Sequence, residues 1–168
     1  LLFMAIPAFW VLAESQQGKW RASFWLGWSF GFGYFLFALH WIGFAFLVDA
    51  EAYLWMMPFA VGGLAAGMAV YWGLATFCVA LSRREGLPVA LVFAVSLAAF
   101  EYLRGVLFTG FPWAAPGLAS DGMGAVAQTA SLWGMPALTL LIVLWAATWP
   151  FMWKGPRLHR AAALLIIA

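Results

Sequence analysis

Four stretches of this chain, 24–48, 53–81, 87–108 and 125–152, are long apolar runs, and three of them contain no Asp, Glu, Lys or Arg. Each has room for the roughly 20 residues with which an α-helix crosses the hydrocarbon core of a bilayer. In that medium every backbone N–H and C=O must be satisfied internally, so only helices and closed barrels span it. A barrel would show short segments of alternating polarity, whereas these runs are unbroken. The sequence therefore predicts an all-α fold, a polytopic transmembrane helix bundle over 1–168. About four helices are complete spans, at 24–48, 53–81, 87–108 and 125–152, and two at 1–13 and 161–168 are truncated. Leu1 opens inside an apolar run with no basic region ahead of it, so a piece of a longer protein is expected rather than a signal peptide.

Composition excludes the soluble alternatives. The chain is 67% hydrophobic and 8% charged, against about 45–50% and about 25% in a soluble domain. Its net charge of +2 is too small and too scattered for nucleic-acid binding. The one cysteine, Cys78, excludes an internal disulfide or a cysteine metal cluster, and no cofactor motif is visible. The 12 Trp and 16 Phe suit aromatic belts at both membrane interfaces.

The connecting loops set an orientation. Lys19 and Arg21 lie in the first, Arg83 and Arg84 in the third, and Lys154, Arg157 and Arg160 in the fifth. The second carries Asp49 and Glu51 and the fourth Asp121, with no basic residue in either. Seven of the eight basic residues thus fall in alternate loops, which the positive-inside rule makes cytoplasmic. The loop 109–124 is then expected on the outer face.

The exceptional span is 87–108. Glu101 and Arg104 lie three residues apart near its outer end, on one face, where they can pair. A charge at bilayer depth costs roughly 2.5–3.5 kcal/mol on insertion scales, so such residues are rare and usually have a role. Gly105 would let another backbone approach. Thr109-Gly110-Phe111-Pro112-Trp113 follows, with Gly110 expected as the helix C-cap and Pro112 preventing re-entry into a helix. Phe111 and Trp113 would then sit at the outer interface. One reading is a lip that contacts lipid or substrate, with Arg104 available to a phosphate or carboxylate. The other is a pair of charges that neutralise each other and close the bundle.

Other candidates are more ordinary. His40 could relay protons or meet a headgroup, or could be hydrogen-bonded in the bundle. Gly27 with Gly31, and Gly63 with Gly67, have the four-residue spacing that lets helices pack closely. Gln128 suits a structural hydrogen bond, and Cys78 a small buried hydrophobe.

Several of these residues together carry a resemblance. Phe30-Gly31-Phe32-Gly33-Tyr34-Phe35, His40-Trp41-Ile42, Glu101-Tyr102-Leu103-Arg104-Gly105, Thr109-Gly110-Phe111-Pro112-Trp113, Gln128 and Gly134 occur in an order that resembles the membrane part of bacterial apolipoprotein N-acyltransferases. The Glu-x-Leu-Arg-Gly and Thr-Gly-Phe-Pro-Trp signature is the specific part. Members of that family have eight membrane helices, with a nitrilase-like domain inserted on the periplasmic side between the last two. On that pattern this chain runs from the end of the second helix to the start of the seventh.

The resemblance implies an inner-membrane enzyme. It would transfer a fatty acyl chain from a phospholipid donor to the N-terminal diacylglyceryl-cysteine of a lipoprotein. The chemistry it implies uses a catalytic Cys that forms a thioester, a Glu base and a Lys that stabilises the oxyanion. No position here matches those three, and Cys78 lies toward the cytoplasmic face. The chain alone is expected to be inactive, its part being to anchor the catalytic domain and form the entrance for lipid and substrate. The expected entrance residues are Glu101, Arg104, Gly105, Thr109, Gly110, Phe111, Pro112, Trp113 and His40. A small transporter or flippase-like protein remains an alternative, and should show paired broken helices where the sequence indicates one break. A structural scaffold, or a membrane domain serving a separate glycosyltransferase, are the others.

Overall fold

The computed structural model describes residues 2–82, 86–120 and 123–154. The expected cytoplasmic Arg83–Arg84 and Arg157–Arg160 groups, Asp121 and the expected helix 161–168 lie outside the described residues. Within them the chain is all-α, without a strand. The helices are α1 (Leu2–Ser15), α2 (Trp20–Ala38), α3 (Ala50–Tyr53), α4 (Met57–Leu81), α5 (Leu87–Val106), α6 (Ala125–Gln128), α7 (Ala130–Thr148) and α8 (Phe151–Lys154). Single 3-10 turns lead into α4 and out of α5, and longer 3-10 segments occupy His40–Leu47 and Pro116–Ser120. Three helical stretches are long and apolar enough to cross a membrane: Ala50–Leu81, Leu87–Thr109 and Ala130–Thr148. A fourth is reached if the bent pair Trp20–Ala38 and His40–Leu47 is taken as one span.

That bent pair corrects the expected helix 24–48. The chain turns by 46° at Leu39 and continues as a 3-10 helix. No Pro or Gly stands at the bend, so no local breaker marks it. Leu39 is buried, and Gly43 presses on the Met57 side chain at the start of α4, where a Cβ would lie 2.6 Å from Met57 Cε. The expected helix 125–152 is also divided, with a non-helical Gly134 (φ 77°) just before Pro136 and short helices at each end.

The tightest helix pair is α2 with α4. A Cβ on Gly27 would strike the Thr76 hydroxyl and the Trp72 carbonyl, and one on Gly31 would come within 3.0 Å of Trp72 Cβ. The closeness lets the helices exchange hydrogen bonds: Ser23 Oγ donates to Thr76 O at 2.7 Å and Thr76 Oγ1 donates to Ser23 O at 2.7 Å. Such small-residue contacts and cross-helix hydroxyls replace the hydrophobic driving force that a lipid environment does not supply. The expected partner motif, Gly63 with Gly67, does not do this: a Cβ at either position meets nothing within 4 Å. Gly73 takes that role instead, against the Phe24 ring.

The core is aromatic. Although α1 is too short to span, Ile6, Phe9, Trp10 and Ala13 are fully buried. Phe9 stacks on Phe30 at 4.2 Å and meets Phe93 edge-on at 5.4 Å. Trp72 of α4 stacks on Phe9, Phe30 and Tyr34 and meets Phe35 edge-on. Offset and edge-on pairs of this kind contribute about 0.5–1.5 kcal/mol each beyond their burial. Around this centre α5 packs on α4 and α7.

Candidate functional site

The two charges of α5 are buried, Glu101 at 5% exposure and Arg104 at 1%. One helical turn apart, they meet in a forked pair. Arg104 Nη2 donates to Glu101 Oε2 at 2.6 Å and Nε donates to Oε1 at 3.2 Å. The Trp72 indole N–H donates to the same Oε1 at 2.7 Å. The Arg104 guanidinium lies 4.9 Å from the Phe35 ring centroid, against its face. An isolated charge here would be very costly, whereas a paired and fully hydrogen-bonded one is tolerated.

The remaining guanidinium nitrogen faces the loop. Arg104 Nη1 donates to the Phe111 carbonyl and, at 2.9 Å, to the Trp113 carbonyl. The Phe111 N–H donates back to Arg104 O at 2.9 Å, and the Tyr34 hydroxyl donates to Ala114 O at 2.8 Å. Four of the five guanidinium N–H groups thus have acceptors. A phosphate or carboxylate reaching Arg104 would have to displace Glu101 or the loop.

The loop needs holding, because its backbone is strained. Phe108 (φ 50°), Thr109 (φ 74°) and Ala114 (φ 58°) all take positive φ without being glycine. Each costs about 1–3 kcal/mol unless its surroundings impose it. Gly110 (φ 80°) is required by space as well, since a Cβ there would run into the Gly105 carbonyl. Gly110 is a cap, as expected, but of the 3-10 turn that follows α5, with its N–H donating to Leu107 O at 2.9 Å. The α-helix ends at Val106, and Phe108 and Thr109 turn the chain before Gly110 is reached. Gly105 is not itself the point of close approach, since its nearest neighbour would be Pro112 Cβ at an ordinary 3.8 Å.

The result is an aromatic lip. Phe108 is 91% exposed and Trp113 59%. Pro112 and Thr109 are also exposed, while Phe111 is half-buried against the core. The Trp41 ring meets Trp113 at 6.2 Å, so the bent segment after α2 joins the lip. His40 takes part in a different contact. It is exposed, with Nδ1 2.7 Å from the Phe37 carbonyl and its ring against Phe37 and Phe44. Downstream, the Pro116–Ser120 turn is fixed on α7 by Gly117 N–H donating to Thr139 Oγ1 at 3.2 Å. Trp72 was not marked by sequence reasoning, because aromatic residues are everywhere in this chain, and Tyr34 and Phe35 entered only as part of the Phe30–Phe35 motif. Among the described residues no group of three His, Cys, Asp or Glu could hold a metal ion.

A bundle of apolar helices that buries a satisfied ion pair beneath a strained, aromatic, exposed loop defines a multi-pass membrane protein with a built lip at one end. The family model for the apolipoprotein N-acyltransferase N-terminal domain matches residues 1–148. The chain is 45% identical over 148 residues to the apolipoprotein N-acyltransferase of Caulobacter vibrioides, covering 88% of this chain and 28% of that protein. It is 44% identical over 147 residues to that of Rhodopseudomonas palustris, covering 85% and 27%. For the Sinorhizobium fredii enzyme the identity is 40% over 145 residues, covering 85% and 27%. The chain belongs to the apolipoprotein N-acyltransferase family and corresponds to its N-terminal membrane domain. It spans little more than a quarter of the length of these relatives.

Proposed function

We propose that this chain is the membrane domain of an enzyme that moves a fatty acyl chain from a phospholipid to the N-terminal diacylglyceryl-cysteine of lipoproteins in the bacterial inner membrane. The transfer chemistry resides elsewhere in the protein, and the chain alone is inactive. Its own task is to anchor the catalytic part and shape the opening through which lipid and lipoprotein acyl chains reach it. The loop 109–124 faces the periplasm, and the ends bearing Arg83, Arg84 and Lys154 to Arg160 face the cytoplasm.

The observation that carries this reading is the division of labour in the loop. Arg104 is used up inward, on Glu101 and two loop carbonyls, while Phe108 and Trp113 are left exposed outward. Apolar and amphipathic aromatics held rigidly at an interface suit acyl chains and headgroups. A transport site is a poorer fit. Transporter sites lie near mid-depth between broken helices, whereas here the bend at Leu39 and the loop after α5 are joined at one end through Trp41 and Trp113. The buried charges are also satisfied by one another rather than open to a solute.

The test places a photo-crosslinking residue at position 108 or 113 of the full-length enzyme and adds a diacylglyceryl lipopeptide. Position 25 is the control, since Trp25 is as exposed as Trp113, both at 59%, but lies on α2. The expected result is lipopeptide adducts at 108 and 113 well above those at 25. Equal labelling at all three would mean that the lip meets bulk lipid only.

A further inference from the structure

Trp72 is fully buried in α4 and is joined to the lip by two routes. One runs through its indole N–H to Glu101 Oε1, and from Glu101 to Arg104 and the carbonyls of Phe111 and Trp113. The other runs through its ring, stacked at 4.9 Å on Tyr34, whose hydroxyl holds the Ala114 carbonyl. Oε1 receives both the indole N–H and Arg104 Nε. The indole therefore fixes the plane of the carboxylate, the carboxylate fixes the guanidinium, and the guanidinium aims Nη1 at the loop. Trp10 supplies the contrast. It is equally buried in the same core, but its indole N–H has no partner among the described residues. Among the described residues, burial alone therefore does not give an indole N–H a partner, and the pairing of Trp72 is a specific arrangement.

We infer that Trp72 and Tyr34 are positioning residues of the entrance: they set the conformation of the 108–114 loop through Glu101 and through the Ala114 carbonyl, and touch no substrate themselves. The inference rests on the reading of that loop as the entrance. A hydrogen bond to a charged group carries enough energy for its loss to change an equilibrium by about tenfold or more. Tyr34→Phe removes the hydroxyl alone and keeps its ring, whereas Trp72→Phe removes the N–H together with one of the two indole rings and keeps a smaller aromatic ring in the stack.

The experiment uses the full-length enzyme with two independent readouts. Hydrogen–deuterium exchange follows the 107–114 backbone, and steady-state N-acylation of a diacylglyceryl lipopeptide by phospholipid gives KM and kcat. Both variants are expected to exchange faster in the loop and no faster in α7. Trp72→Phe is expected to raise KM for lipopeptide about tenfold and Tyr34→Phe, which loses a bond to a neutral carbonyl, about fivefold, with kcat within about twofold of the parent in both. Unchanged loop exchange in both variants would overturn the inference. Faster exchange with unchanged kinetics would keep the mechanical link but overturn the entrance reading beneath it. If Trp72→Phe does not reach the membrane, Tyr34→Phe decides the matter, since it removes one oxygen from a half-buried ring.

Discussion

The α2–α4 interface and the Glu101–Arg104 loop hold the molecule together by opposite means. At the first, glycines remove side chains so that two backbones touch and Ser23 and Thr76 can trade hydrogen bonds. At the second, long side chains reach out of one helix to fix a backbone that does not hold itself, with three non-glycine residues at positive φ. The interface is relaxed, regular and closed. The loop is strained, held by specific polar bonds, and exposes its largest side chains. Strain imposed by surrounding structure concentrates at functional sites, and the contrast locates it here at one end of the bundle.

This comparison can be broken from either side. The largest effect is expected for Glu101→Ala, which leaves Arg104 charged and buried without its partner at a cost of about 3–5 kcal/mol. Membrane-inserted full-length protein should fall sharply, as read by detergent-extracted yield and thermal unfolding. Next comes Gly73→Val at the interface, where the new atoms meet the Phe24 ring and the Phe24 carbonyl. Overpacking of this kind costs about 1–3 kcal/mol, and the N-acylation rate per folded molecule should not change. Gly110→Ala should destabilise by about 1–2 kcal/mol through its φ and its clash with the Gly105 carbonyl. Unlike the interface variant, it should lower activity per folded molecule. The smallest effect belongs to Gly63→Ala and Gly67→Ala, which point into open space. They should be neutral, or stabilising by up to about 1 kcal/mol through helix propensity. A large loss there would mean that this face of α4 has a partner.

The same comparison shows what was legible in the sequence. Length and hydrophobicity were enough for an all-α membrane bundle, because the bilayer leaves few alternatives. Rarity of charge was enough to single out Glu101 and Arg104. Spacing alone was not enough for the glycines: Gly27 with Gly31 and Gly63 with Gly67 look alike, yet only the first faces a neighbour, since a helix face acquires meaning from what packs on it. The bend at Leu39 was hidden because no Pro or Gly marks the position. Trp72 was hidden because nothing in the chain distinguishes it among 12 Trp, and its importance lies in one hydrogen bond to a residue 29 positions away. His40 stood out as a lone polar residue, but its neighbour Trp41 is the one that reaches the lip.

On the proposed function, Arg104 serves by holding the loop rather than by holding the protein together. The direct measurement is lipoprotein N-acylation, normalised to membrane-inserted enzyme, for Arg104→Ala and Arg104→Lys in the full-length protein. Lysine keeps the charge beside Glu101 but lacks the planar fork that serves the carboxylate and two carbonyls at once. The account predicts that Arg104→Ala lowers acylation well below the fall in protein level, and that Arg104→Lys keeps most of the protein while losing much of the activity. Acylation that falls only in step with protein level in both variants would contradict it, and would leave the ion pair as a closure of the bundle.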